Sequence, residues 1–117
     1  MNMPAALGYL RKDVSGEAQA WHDTQMRSLA KRLGYNLTKT VIFGADTERP
    51  IDALLNVARR TAAEAVIVPS AAHFEGGTIP SDLTKMVDVI TVMPEDTHAR
   101  WSLHPSRWDS RTKGPSQ

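Results

Sequence analysis

Short apolar runs that alternate with amphipathic stretches constrain the fold of this chain more than any other feature. Residues 65–68, Ala-Val-Ile-Val, contain no polar position. A strand without polar alternation is covered on both faces, which is typical of the middle of a parallel sheet. Residues 5–10, 38–43 and 87–93 are the other runs that predict strands. The sequence therefore predicts an α/β fold.

The stretches between these runs have the spacing of helices. Apolar residues recur every three or four positions in residues 16–33, and Gly34 follows as a stop signal. Pro50 suits the first turn of a second helix that ends near residue 63, and residues 80–86 predict a short third one. Each helix must bury its stripe on a sheet face. We therefore expect a three-layer sandwich with a mostly parallel sheet of about four strands, as in flavodoxin-like folds.

The length of 117 residues suits one hydrophobic core. We assign residues 1–94 to the α/β domain. Residues 95–117 contain two prolines, many Ser, Thr and Arg residues and no sustained period, and they predict an extended C-terminal tail.

Composition excludes several classes of function. The formal net charge is +1, so affinity for nucleic acid would require a local basic patch. The absence of cysteine removes disulfides, thiolate metal sites and thiol nucleophiles, and it suits a reducing compartment. No apolar run is long enough to cross a bilayer, and the N-terminus lacks the pattern of a signal peptide. We expect a cytoplasmic protein with no membrane partner and no cofactor.

Polar loops follow three of the predicted strands, at residues 11–16, 44–49 and 69–77. The carboxyl ends of parallel strands lie on one edge of the sheet, where binding and chemistry concentrate. The candidate side chains on this edge are Arg11, Asp13, Ser15, Asp46, Arg49, Ser70, His73 and Glu75.

Two segments resemble the catalytic domain of serine recombinases, the resolvase and invertase family. That family opens with a strand ending in Tyr-x-Arg-x-Ser, and this chain has Tyr9-Leu10-Arg11-Lys12-Asp13. Arg49-Pro50, followed by two leucines, is similar to a helix start whose arginine belongs to the family's active site. The resemblance covers residues 5–93 approximately. It implies a resolvase-like fold and a reaction on DNA.

The chain departs from this family at the residues that perform its reaction. Asp13 occupies the position of the nucleophilic serine, and the family's Asp-Arg-Leu-x-Arg motif is replaced by residues 72–76, Ala-His-Phe-Glu-Gly. A carboxylate cannot replace a serine alkoxide that attacks an anionic phosphodiester. Loss of one catalytic donor costs roughly two to three orders of magnitude in rate, and here several are missing together. We therefore expect no recombinase activity, and Ser15, with Gln19 four residues later, is the one alternative nucleophile.

Other interpretations of the candidate residues remain open. Arg11 and Arg49 predict either a phosphate-binding site or ion pairs with Asp13 and Asp46. Asp13 has no adjacent second carboxylate to complete a metal site like that of phosphotransfer receiver domains.

The loop and helix histidines each have a structural interpretation. His73 has no His or Cys at ligand spacing, which favours a loop histidine with a local hydrogen bond over a metal ligand. His22 lies on the apolar stripe of the first helix, which favours a packed histidine with its hydrogen bonds satisfied.

The tail interleaves basic and aromatic residues, among them Arg100, Trp101, Arg107 and Trp108. Such a mixture can stack on bases and neutralise phosphates, or it can dock on this domain or on a protein partner. The leading hypothesis is an inactive resolvase-like domain that acts as a binding or regulatory module through protein contacts or self-association, by means of its last strand and tail. The alternatives are a DNA-binding or DNA-processing protein and an anion or nucleotide binder.

Overall fold

The computed structural model describes residues 3–100, which form one five-stranded sheet with helices on both faces. The strands are β1 Ala5–Arg11, β2 Asn36–Phe43, β3 Ala65–Val68, β4 Asp88–Thr91 and β5 Asp96–His98. Their order across the sheet is β2-β1-β3-β4-β5. The first four strands pair in parallel, and β5 pairs antiparallel with β4. The α/β class and the mostly parallel sheet are thus confirmed.

The helices are α1 Lys12–Ser15, α2 Gln19–Arg32, α3 Pro50–Thr61 and α4 Ser81–Thr84. The chain becomes helical directly after β1, because α1 and a 3₁₀ turn at Gly16–Ala18 precede α2. The segment predicted as a loop after the first strand is therefore mostly helical. Gly34, at φ 84°, follows α2 in the left-handed conformation that a glycine stop favours.

The sheet has a separate apolar cluster on each face. On one face, β1 and β3 pack Leu7 and Val66 against Leu54 of α3 and Leu83 of α4. On the other face, the alternate residues of the same strands, including Leu10 and Ile67, pack against Met26 and Leu29 of α2. All four residues of β3 are buried, as expected for a central strand without polar positions. These two layers of helices and the sheet form the three-layer sandwich.

The expected number of four strands is one too low. Asp96–His98 lie in the segment interpreted as tail, but they extend the sheet as β5. The three residues carry no apolar period that would identify them as a strand, and only the open edge of β4 gives them hydrogen-bond partners. Residues 101–117 lie outside the described part of the chain.

The order of the strands reverses between β1 and β3. After β1, the chain adds β2 on one side of β1. It then crosses to the other side of β1 to add β3, and β4 follows beyond β3. In open α/β sheets, ligands bind in the crevice at the carboxyl ends of the strands where this reversal occurs. Arg11 ends β1 and Pro69 follows β3, so these residues bound the expected position of a site. Within residues 3–100, no helix is long and apolar enough to span a membrane.

Candidate functional site

Arg11 and Asp13 form a two-point ion pair at the carboxyl end of β1. The Arg11 Nε donates to Asp13 Oδ1 at 3.1 Å, and its Nη2 donates to Asp13 Oδ2 at 2.7 Å. This fork geometry uses both carboxylate oxygens and matches the planar guanidinium. Of the two interpretations of Arg11, phosphate binding or an ion pair with Asp13, the structure contains the ion pair.

His73 is buried beside this pair. Its side chain is 1% exposed, and its Nδ1 accepts a hydrogen bond of 2.9 Å from the backbone N–H of Arg11. The Tyr9 hydroxyl donates to the His73 carbonyl at 3.1 Å, and the Tyr9 ring stacks on Phe74. The loop after β3 is thereby fixed to β1 across the point where the strand order reverses.

The environment of His73 keeps its imidazole neutral. Burial, the largest cause, together with the nearby His22 and Arg11, lowers the pKa of His73 to about 4, while Asp13 opposes them. The hydrogen bond from the Arg11 N–H requires a lone pair on Nδ1, so it also disfavours protonation of that nitrogen. Burial also raises the pKa of the Tyr9 hydroxyl, which remains a neutral donor.

Ser15 and His22 form a second polar pair on the opposite face of the sheet from Tyr9. Ser15 is 6% exposed, and its Oγ lies 2.7 Å from His22 Nδ1. The His22 and His73 rings meet edge to face, with centroids 5.8 Å apart. The N-terminal part of α2 thus places His22 at the carboxyl edge of the sheet, where it contacts both Ser15 and His73.

A cleft of about 550 Å³ opens on the α3 face of this edge. Arg11, Arg49, His73 and Glu75 are among its lining residues. Arg49 precedes α3 with a left-handed backbone at φ 50° and ψ 55°. Within residues 3–100 its guanidinium has no hydrogen bond or ion pair. Arg49 is therefore the free cation of this cleft.

The remaining candidate residues are distributed over both faces. Ser70 lines a different cavity from Arg49, on the α2 face, and accepts a hydrogen bond from the Ala72 N–H. Asp46 forms no ion pair with Arg49, although that pair was an open interpretation. The structure brings Arg11, Arg49 and His73 together, and it places Ser15 with His22 instead.

The tail residues are only partly described. Arg100 contacts two acidic residues, with Nη2 at 3.7 Å from Glu64 Oε1 and its backbone N–H donating to Asp88 Oδ1 at 2.6 Å. These contacts anchor the chain beside β4. Trp101, Arg107 and Trp108 lie outside the described residues.

The sequence predicted a hydrogen bond for each histidine, and one ring nitrogen of each has one, but the partners could not be identified from the sequence. The bond of His73 is to Arg11, 62 positions away, rather than a local one. The seven-residue spacing of Ser15 and His22 places them two turns apart in an ordinary helix, and the irregular turn at Gly16–Ala18 changes this geometry. Within the described residues, no group of three or more His, Cys, Asp or Glu could hold a metal ion.

Comparison with known proteins gives no match, whether against family models, curated proteins or solved structures.

Proposed function

We propose that this chain is a binding module with a resolvase-like fold that does not cleave DNA itself. The observation that carries the proposal is the two-point ion pair between Arg11 and Asp13. A phosphodiester at this position would have to displace the carboxylate from the guanidinium, and the displaced carboxylate would then repel the phosphate. The proposal includes a cytoplasmic location, which the absence of cysteine favours.

The alternative nucleophile is poorly placed for strand cleavage. The Ser15 hydroxyl is almost fully buried and is bonded to His22, and it does not line the cleft that contains Arg49. A DNA phosphate is bulky and strongly hydrated, so it requires an exposed nucleophile with cationic donors around it.

The absence of strand cleavage is tested by incubating the protein with a pool of labelled DNA duplexes and resolving the products under denaturing conditions. We expect no protein–DNA adduct from the wild type. An adduct that is lost on Ser15→Ala and kept on Ser28→Ala, a serine on the exposed side of α2, would overturn the proposal.

The surface that favours protein contacts is the groove between β2 and α3. It has a volume of about 680 Å³ and is lined by Lys39, Val41, Phe43, Ala53, Asn56, Val57, Arg59 and Arg60. The β2 strand is an outer strand of the sheet, so its free backbone groups can pair with an extended segment. The other edge strand, β5, has only three residues, and it covers β4. Protein contacts are therefore assigned to β2 rather than to the last strand.

The charges of this groove select an acidic partner. Three cations and no anion line it, above an apolar floor. A second copy of the chain would bring the same cations to the same place, and this repulsion disfavours self-association there. The occupant that fits is an extended acidic segment of another protein, with apolar residues at alternate positions.

This assignment is tested by the fluorescence anisotropy of a labelled peptide of alternating valine and glutamate. We expect binding that weakens with salt and with Arg60→Gln. The matched control is Lys31→Gln, which removes an exposed cation from the last turn of α2 and should leave binding unchanged. Equal binding of a valine–lysine peptide, or no binding of either peptide, would contradict the assignment.

A second candidate function is the binding of a phosphate-bearing anion in the cleft that contains Arg49. The free guanidinium of Arg49 supports it, as does the position of the cleft at the carboxyl edge of the sheet. Inorganic phosphate and a panel of nucleotides should then raise the Tm through linkage. The shift should disappear in Arg49→Gln and remain in Arg60→Gln, and no shift with any of these anions would remove this candidate.

A further inference from the structure

A second cavity lies at the same edge of the sheet, on the α2 face. It has a volume of about 400 Å³, within the usual range of small-molecule sites. Its lining contains four polar side chains, those of His22, Gln25, Ser70 and His73. This cavity shares His73 with the Arg49 cleft but otherwise has different lining residues, and it shares none with the β2 groove, so the inference from it does not depend on the proposed function.

The mouth of this cavity is apolar. Val14, Trp21 and Met93 line it and are 39%, 63% and 67% exposed. They are three of the six large apolar side chains that are exposed in residues 3–100. An apolar mouth over a few buried polar groups is the usual construction of a binding pocket.

The hydrogen bonds around His73 determine which of its nitrogens carries the proton. The Arg11 N–H donates to Nδ1, so the neutral ring carries its hydrogen on Nε2. This Nε2 has no hydrogen-bond partner within residues 3–100, although the residue is 1% exposed. A buried donor without an acceptor is costly, and such a group points to a bound water or ligand.

The same reasoning applies to His22. The buried Ser15 hydroxyl has one hydrogen to donate, and His22 Nδ1, at 2.7 Å, is its only acceptor in the described part of the chain. His22 Nδ1 therefore accepts, and the hydrogen of this ring also lies on Nε2. His22 and His73, whose rings meet edge to face, thus both line this cavity, and neither Nε2 has a hydrogen-bond partner within residues 3–100.

This arrangement excludes a metal ion as the occupant. Coordination through Nε2 would require a lone pair there and would move the proton of His73 to Nδ1, against the N–H of Arg11. A cationic ligand is disfavoured for the same reason, because both rings present hydrogens. The occupant must accept hydrogen bonds, and its remaining surface must suit Trp21 and Met93.

We propose that this cavity binds a small molecule with a carbonyl or carboxylate oxygen on a flat apolar ring. The oxygen accepts from the Nε2–H groups of His22 and His73, and the ring lies among Val14, Trp21 and Met93. Benzoate and benzamide are the probes of this chemistry, and benzylamine, a cation of the same size, is the negative probe.

The first measurement is the histidine tautomer, from two-bond ¹H–¹⁵N spectra of the wild-type imidazole rings. We expect both His22 and His73 as Nε2–H tautomers near neutral pH. An Nδ1–H tautomer at either residue would overturn the inference without any need of a variant.

The second measurement is a titration of the probes, followed by the same imidazole signals and by the Trp21 indole. Single-ring probes bind in the millimolar range, so concentrations up to about 10 mM are needed. Benzoate or benzamide should shift all three groups, and His22→Phe should weaken binding by at least about tenfold, because one of the two ring donors is lost. The control, His98→Phe, makes the same change on β5 and should have no effect. Shifts from benzylamine alone would mean that the cavity takes a cation, and no shift from any probe would mean that it holds only water. Either result would overturn the proposal.

Discussion

Asp13 determines which chemistry is available at the carboxyl end of β1. Arg11 ends this strand, and the Tyr9 hydroxyl in the same strand fixes the neighbouring loop by donating to the His73 carbonyl. The carboxylate of Asp13 engages the Arg11 guanidinium at two points. The positive charge of Arg11 is therefore paired within the chain.

Asp13→Asn should release Arg11 and strengthen the binding of inorganic phosphate, because the amide removes one negative charge and keeps the shape of the side chain. An exposed pair contributes about 0.2–1 kcal/mol, so the free energy of unfolding should change little. Calorimetric titration with phosphate measures the gain. Asp46→Asn is the control, because it removes the same charge from a residue that has no ion pair with Arg49. An equal gain in both variants would assign the effect to net charge alone.

Arg49→Gly should relieve the backbone strain at this position and also remove the charge, whereas Arg49→Ala removes only the charge. The left-handed backbone of Arg49 costs roughly 1 kcal/mol for a residue with a Cβ, whereas glycine adopts it freely. Urea unfolding should therefore show a variant as stable as the wild type, or more stable by up to about 1 kcal/mol. Arg49→Ala keeps the strain and should not gain stability. Neither variant should respond to phosphate.

At the scale of elements, β5 changes which edge of the sheet is available. Its pairing with β4 and the contacts of Arg100 with Glu64 and Asp88 hold the segment after Pro94 against the sheet. β5 is the edge strand on this side of the sheet but has only three residues, whereas β2, at the other edge, has eight and carries the basic groove. An extended partner segment therefore finds more backbone hydrogen-bond groups along β2.

Deletion of residues 95–117 should destabilise the domain, because it removes β5 and exposes the edge of β4. Loss of these hydrogen bonds and of the Arg100 contacts should lower the free energy of unfolding by about 2 kcal/mol. A chain that ends after Arg100 keeps all the described contacts and is the control. Urea unfolding of both proteins measures the difference, and equal stability would mean that β5 contributes nothing to the domain.

At the scale of the whole molecule, His73 makes stability depend on pH. The pKa of His73 is about 4 in the folded chain and 6.5 in an unfolded one. Between these values the unfolded chain binds the proton and the folded chain does not, so stability falls as the pH falls from 6.5 towards 4. His22, Arg11 and Asp13 are the titratable neighbours that influence this group.

His73→Asn should remove most of this pH dependence, because its Oδ1 can accept from the Arg11 N–H as Nδ1 does and it does not titrate. Unfolding in urea near pH 7.5 and pH 5 should show a loss of about 2 kcal/mol in the wild type at the lower pH, and a much smaller loss in the variant. His98→Asn, in the exposed β5, should behave like the wild type. A wild-type stability that is flat over this range would contradict the assignment.

The sequence predicts an element best where the residues of that segment alone carry its apolar pattern or its start signal. β3 has four apolar residues and is buried throughout, and α3 begins at Pro50 as predicted. Met26 and Leu29 are buried as the helical stripe predicts, but Leu33 is 42% exposed because α2 ends before it. Boundaries are less well predicted than elements, because they depend on the contacts at their ends.

By itself, the sequence determined the α/β class and the mostly parallel sheet, because apolar periodicity is a property of neighbouring residues. Only the tertiary structure decided the partner of His73, the Ser15–His22 pair and the addition of β5 to the sheet. These contacts join residues on different elements, and His73 bonds to a residue 62 positions away. Their geometry follows from strand order and from the way α2 crosses the sheet, and neither is encoded in any single segment.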